Sequence, residues 1–185
     1  DPKIDNTVER DTLKDPPCYD DKFVLTNPPY LARNKNKNKE LYESYSCNDL
    51  YKCFIISLIN SNCLGGIIIV PLNFISSIRK ADINLRKKFL DKYSITTLNI
   101  FEERVFNDTS YSVCSIQFCK KNEETINICM FPSKKSFSVK LTEENNYTIG
   151  GEIYNLSQNE KVKVERATSK NKDKCGLTNL LLKCI

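Results

Sequence analysis

Asn27-Pro28-Pro29-Tyr30 follows directly on the short apolar run Phe23-Val24-Leu25. A strand ending in these four residues offers an amide oxygen, a fixed backbone carbonyl and an aromatic face within one tight turn. Those groups suit a planar amino group that is to receive a methyl on its nitrogen. The exocyclic amino group of adenine is a poor nucleophile, because its lone pair is delocalised into the ring. The Asn27 side-chain oxygen and the Pro28 carbonyl can each accept one N–H hydrogen bond. Together they favour a more pyramidal nitrogen whose lone pair is free to attack a methyl sulfonium. This is positioning plus electrostatics and needs no strong base. Proline fixes φ, so the carbonyl direction is set before substrate arrives. Tyr30 offers a ring to stack on the base, and enzymes that work on a base must first extrude it from the helix. Asn-Pro is also ordinary turn chemistry. The strand before it and the patterns after it favour the chemical reading.

The composition removes several other chemistries. There is no histidine, which excludes the commonest general base and every Ser-His or Cys-His hydrolase arrangement. The nine cysteines are scattered, odd in number and mostly set in apolar stretches, with no Cys-x-x-Cys. They read as small core residues in a reducing, intracellular setting, with no metal site. No apolar run reaches transmembrane length and no signal-peptide pattern is present, so no membrane partner is expected. A net charge of +5 permits nucleic-acid binding without demonstrating it.

The motif needs elements to hold it. Phe23 to Thr26 reads as a buried strand. Arg33, Lys35, Lys37 and Lys39 alternate with asparagines in what reads as a mobile basic loop. Its closeness to the motif makes Arg33, Lys35 and Lys37 candidates for DNA phosphate contacts. Asn48 or Asp49 caps a helix to about Cys63, with Leu50, Tyr51, Phe54, Ile55, Leu58 and Ile59 on one face. Gly65-Gly66 turns the chain into an apolar strand, Ile67 to Val70, of the kind buried on both faces. A charged amphipathic helix follows over about Ala81 to Lys92, then a strand from Ile95 to Phe101 and another from Tyr111 to Phe118. The order predicts an α/β sheet with a late antiparallel strand. Shorter strand candidates lie at Ile126–Phe131 and Phe137–Leu141, and the character changes near 121–135.

These features together resemble the amino-group DNA methyltransferases that use S-adenosylmethionine, above all the adenine-N6 branch with Asn-Pro-Pro-Tyr or -Phe. Asp11 lies sixteen positions before Asn27, where that family places an acidic residue bonded to the cofactor adenine. Asp49-Leu50-Tyr51 falls where a helix start helps line the cofactor pocket. Gly65 to Pro71 resembles the following strand motif. Val105-Phe106 with the strand after it resembles a later motif, in which Phe106 is the second wall around the flipped base. Gly150-Gly151-Glu152-Ile153-Tyr154 resembles the entry to a target-recognition region.

The resemblance implies the C-terminal part of a Rossmann-like class I methyltransferase sheet. Residues 1–125 would be a partial catalytic domain, and 126–185 the start of target recognition. Asn27, Pro28, Pro29 and Tyr30 would be catalytic, with Asp11, Asp49 and Tyr51 on S-adenosylmethionine. The partners implied are double-stranded DNA and a cognate restriction endonuclease, in a bacterial cytoplasm or a virus-infected cell. The family's glycine-rich cofactor loop should precede Asp11, and nothing in residues 1–10 fits it, so a fragment cut at both ends is expected. Three alternatives stay open: transfer to RNA amino groups, transfer to protein glutamine, and a non-catalytic DNA-binding remnant.

Overall fold

The computed structural model describes residues 8–107, 109, 111–120 and 125–150. Six strands form one sheet in the order β1-β2-β4-β3-β5-β6. They are β1 (Phe23–Thr26), β2 (Gly65–Pro71), β3 (Tyr93–Phe101), β4 (Val113–Lys120), β5 (Thr125–Phe131) and β6 (Ser136–Lys140). β1 and β2 are parallel, with Leu25 opposite Ile67. A parallel pair needs a crossover, which the helical segment between the two strands supplies. The late strand β4 runs antiparallel between β2 and β3, as the sequence predicts.

The helices are α1 (Glu40–Ser44), α2 (Leu50–Asn60), α3 (Asn73–Ser76) and α4 (Lys80–Lys92). Tyr51, Ile55 and Leu58 of α2 join Leu85 and Phe89 of α4 in one core with Ile68, Val70, Leu98, Ile100, Ile116 and Phe118 from the sheet. Strand alternation sends Phe23, Leu25 and Ile67 to the other face, where they are 75%, 79% and 40% exposed.

Local departures from expectation have identifiable causes. α2 ends at Asn60 rather than Cys63 because its last carbonyls are claimed from outside. Lys92 Nζ donates to Ile59 O at 2.8 Å and the Tyr93 hydroxyl donates to Leu58 O at 2.9 Å. Gly65-Gly66 do not precede β2 but begin it. A Cβ on Gly66 would lie 2.0 Å from the Val24 carbonyl oxygen, so only glycine lets β1 approach there.

The basic segment after the motif is tied down rather than loose. Arg33–Lys35 forms a 3-10 turn. The Tyr42 hydroxyl donates to Leu31 O at 3.0 Å and accepts from the Asn36 amide at 3.2 Å. α1, which periodicity does not reveal, begins where Asn38 Oδ1 accepts the Glu40 N–H at 2.9 Å. Cys53, Cys63 and Cys114 are buried core residues, as expected, whereas Cys47, Cys119 and Cys129 are half-buried and Cys18 is exposed.

The sheet continues past residue 125. β5 pairs in parallel with β3 from Thr97↔Asn127 to Phe101↔Phe131, and β6 pairs with β5. Of the motif-like stretch 150–154, residues 151–154 lie outside the described residues. Among the described residues no helix is long and apolar enough to cross a membrane. No group of three or more His, Cys, Asp or Glu that could hold a metal occurs among them either.

Candidate active site

β1 ends at Thr26, and the chain turns at once into Asn27 and three further motif residues at the edge of the sheet. Pro28 is buried, Tyr30 half-buried, and Asn27 and Pro29 exposed. The next segment folds back on the start of α2. Arg33 N–H donates to Asn48 O at 2.9 Å, Leu50 N–H donates to Leu31 O at 3.1 Å, and Ala32 bridges Asp49. These bonds bring Asp49 and Tyr51 beside the motif.

A cavity of about 370 Å³ opens at the motif, lined by Asn27, Pro28, Pro29, Tyr30, Lys35, Phe106, Thr109 and Tyr111. That is at the small end of the range for ligand pockets. The Tyr30 ring stands edge-on to two others. Phe106 is 6.2 Å away between centroids at 67°, and Tyr51 is 6.3 Å away at 90°. The Tyr30 hydroxyl lies 3.1 Å from Asn27 Oδ1 and 3.1 Å from the Ile69 carbonyl. Burial pushes its pKa up to about 12, so the phenol keeps its proton and donates. One proton faces two acceptors, and the Asn27 amide oxygen is one of them.

The other expected residues are placed differently. Tyr51 is 4% exposed and belongs to the core, with burial holding its phenol far above the ordinary range. Asp49 begins α2, and its Oδ1 is buried without a hydrogen-bond partner. Burial raises its pKa, while the Tyr51 backbone N–H and Lys52 pull the other way. Asp11 accepts the N–H groups of Leu13 and Lys14 at 3.2 Å each, capping its own turn. Asp11, Asp49 and Tyr51 do not line the motif cavity.

Of the three basic candidates, Lys35 alone lines the motif cavity. Arg33 is engaged by Glu43 at 2.8 Å and lines a second cavity of about 730 Å³ beside α1, α2 and α4. Lys37 is exposed and lines neither. Thr109 and Tyr111 complete the motif cavity and have no counterpart among the expected site residues. Their only signal in sequence is closeness to Phe106.

Residues 19–106 match the family model described as Eco57I restriction-modification methylase. No curated protein matches the chain. Among solved structures, the chain is similar to a modification subunit of a putative type I restriction enzyme from Vibrio vulnificus YJ016. That similarity has a TM-score of 0.51 at 14% identity, over 90% of this chain and 34% of that one. It is also similar to a chain of a type I restriction-modification system, with a TM-score of 0.53 at 15% identity, over 82% of this chain and 32% of that one. At such identities the likeness is one of fold. The chain spans about a third of the length of either structure.

Proposed function

We propose that the chain is part of a restriction-modification methylase, the family whose model residues 19–106 match, and that it carries the base-binding part of an enzyme that methylates adenine N6 in duplex DNA. The observation that carries this reading is the cavity at the end of β1. It joins Asn27 and Pro28, the hydrogen-bond acceptors for an amino group, to two aromatic walls, Tyr30 and Phe106. A flipped base enters this cavity edge first. Its amino group donates to Asn27 Oδ1 and to the Pro28 carbonyl. The Tyr30 proton then turns fully to Ile69 O, which frees the amide oxygen. Tyr30 stacks on one face of the base, and Phe106, at 67° to the Tyr30 ring, forms the second wall of the cavity. Lys35, at the rim, faces the phosphate side of the extruded nucleotide.

The residues near the motif fit a cofactor of the S-adenosylmethionine type. The orphaned, buried Oδ1 of Asp49 is an acceptor without a donor, and a cofactor donor would satisfy it. Asp11 and Tyr51 would complete the contacts this chain makes. When bound, S-adenosylmethionine supplies the electrophilic methyl. This chain's residues orient the amino group and keep its lone pair available. Residues 126–185 remain assigned to target recognition, with β5 and β6 built onto the catalytic sheet. A cognate restriction endonuclease is the further partner.

The test is labelled-methyl transfer by the intact protein that carries this segment, offered DNA, RNA and protein in parallel. Label in DNA alone supports the reading. Label in RNA or in protein keeps the amino-group chemistry and replaces the substrate. Folded protein that labels none of the three acceptors points to a DNA-binding remnant.

A further inference from the structure

We propose that Arg104 is a positioning residue that clamps the turn carrying Phe106 and so holds the second aromatic wall of the base cavity in place. The inference rests on the methyl-transfer reading of that cavity. Arg104 Nε donates to Phe106 O at 2.9 Å and to Thr109 O at 3.1 Å, and its Nη2 donates to Asn107 O. One planar guanidinium therefore gathers three carbonyls of the turn that joins the neighbouring antiparallel strands β3 and β4. Phe106 and Thr109, whose carbonyls it holds, both line the cavity.

The root of the turn is fixed independently. Glu102 N–H donates to Phe131 O at 2.8 Å, and the Glu102 carboxylate accepts the Ser133 N–H at 2.9 Å. That anchors the turn to the connection between β5 and β6. With the root held, Arg104 sets the tip, and the tip sets the 6.2 Å spacing from Phe106 to Tyr30. Each bond alone is weak at an exposed site. The fixed fork of a guanidinium makes them act together, and a lysine ammonium cannot reproduce that geometry. A DNA-phosphate role for Arg104 makes the opposite demand, because a lysine preserves the charge that a phosphate needs.

The experiment compares Arg104→Ala and Arg104→Lys in the intact protein. Hydrogen–deuterium exchange over 102–112 is read without substrate, and steady-state methyl transfer to DNA is read separately. Both variants are expected to exchange faster in that peptide and unchanged elsewhere. Both are expected to raise KM for DNA roughly tenfold, the scale of one lost base–aromatic stack. Unaltered exchange in both variants overturns the clamp. Faster exchange with wild-type kinetics overturns the positioning role. Arg104→Lys restoring wild-type kinetics overturns it in favour of a phosphate contact. A wild-type protein that transfers no methyl to DNA sinks the reading of the cavity, and this role with it; the exchange data still show whether the turn is clamped.

Discussion

At Asn27 the amide oxygen already has a donor, the Tyr30 hydroxyl at 3.1 Å, before any base is present. On the proposed reading Tyr30 does two things, stacking and orienting, and they separate by substitution. Tyr30→Phe keeps the ring and removes both hydrogen bonds. It is expected to lower kcat/KM about fivefold and stability by about 1 kcal/mol. Tyr30→Ala, which removes the ring as well, is expected to lower kcat/KM a further tenfold or so. Equal losses in the two variants, measured as kcat/KM on DNA, would contradict the division of roles. Asp49 is the second residue of interest. Its folded pKa is raised, so it favours folding only while protonated, and that contribution fades as pH rises from its unfolded value through its folded one. At neutral pH the buried carboxylate is a cost. Asp49→Asn is expected to stabilise the fold by about 1 kcal/mol and to weaken S-adenosylmethionine binding, read by thermal melting and titration calorimetry. A lower melting temperature would show that the carboxylate is a structural cap instead. Asn27 to Tyr30 were legible in sequence because their chemistry is local to four residues. The orphaned oxygen of Asp49 was not, since burial arises only when Leu31 and Ala32 fold back onto the helix start.

Between elements, α2 is joined to α4 by a buried ion pair. Lys52 donates to Asp82, which also accepts from the Ser77 hydroxyl at 2.6 Å. Burial pushes the Asp82 pKa up, but the Lys52 and Ser77 hydrogen bonds outweigh it and hold it below its ordinary 3.8. A depressed carboxylate pKa gives stability that is present above the unfolded value and lost as pH falls through the folded one. The pair therefore stabilises at neutral pH and begins to lose that contribution as pH falls past 3.8 toward the lower folded value. Asp82→Asn is expected to cost roughly 3 kcal/mol at pH 7 because it strands Lys52, and the cost should shrink as the wild type is acidified. Lys52→Met with Asp82→Leu is expected to be nearly neutral, by urea unfolding. A cost for Asp82→Asn that does not change with pH would contradict the linkage. The apolar faces of α2 and α4 were legible from their spacing. Their ion pair was not, because thirty residues separate its partners. α1 was missed because it is five residues long, and side-chain bonds from its flanks fix it more than periodicity does.

For the whole molecule, alternation and turn signals in sequence carried the sheet as far as β4, including its antiparallel sense. The continuation through β5 and β6 was harder to see. Pairing with β3 is a contact between strands that are not neighbours in the chain, and local composition does not report it. Thr109 and Tyr111 were not legible as cavity residues for the same reason, since they enter the cavity only once β4 lies beside β2. The motif, Lys35, Phe106, Thr109 and Tyr111 meet at one small cavity at the end of β1. The central claim is that Asn27 and Pro28 there present an adenine amino nitrogen for methylation. The most direct measurement is nucleoside analysis of DNA treated with S-adenosylmethionine and the intact protein, wild type beside Asn27→Ala. The expected result is N6-methyladenine with the wild type, reduced on the order of a hundredfold or more in Asn27→Ala. Methylation at another atom, or equal N6-methyladenine from the two proteins, would contradict it.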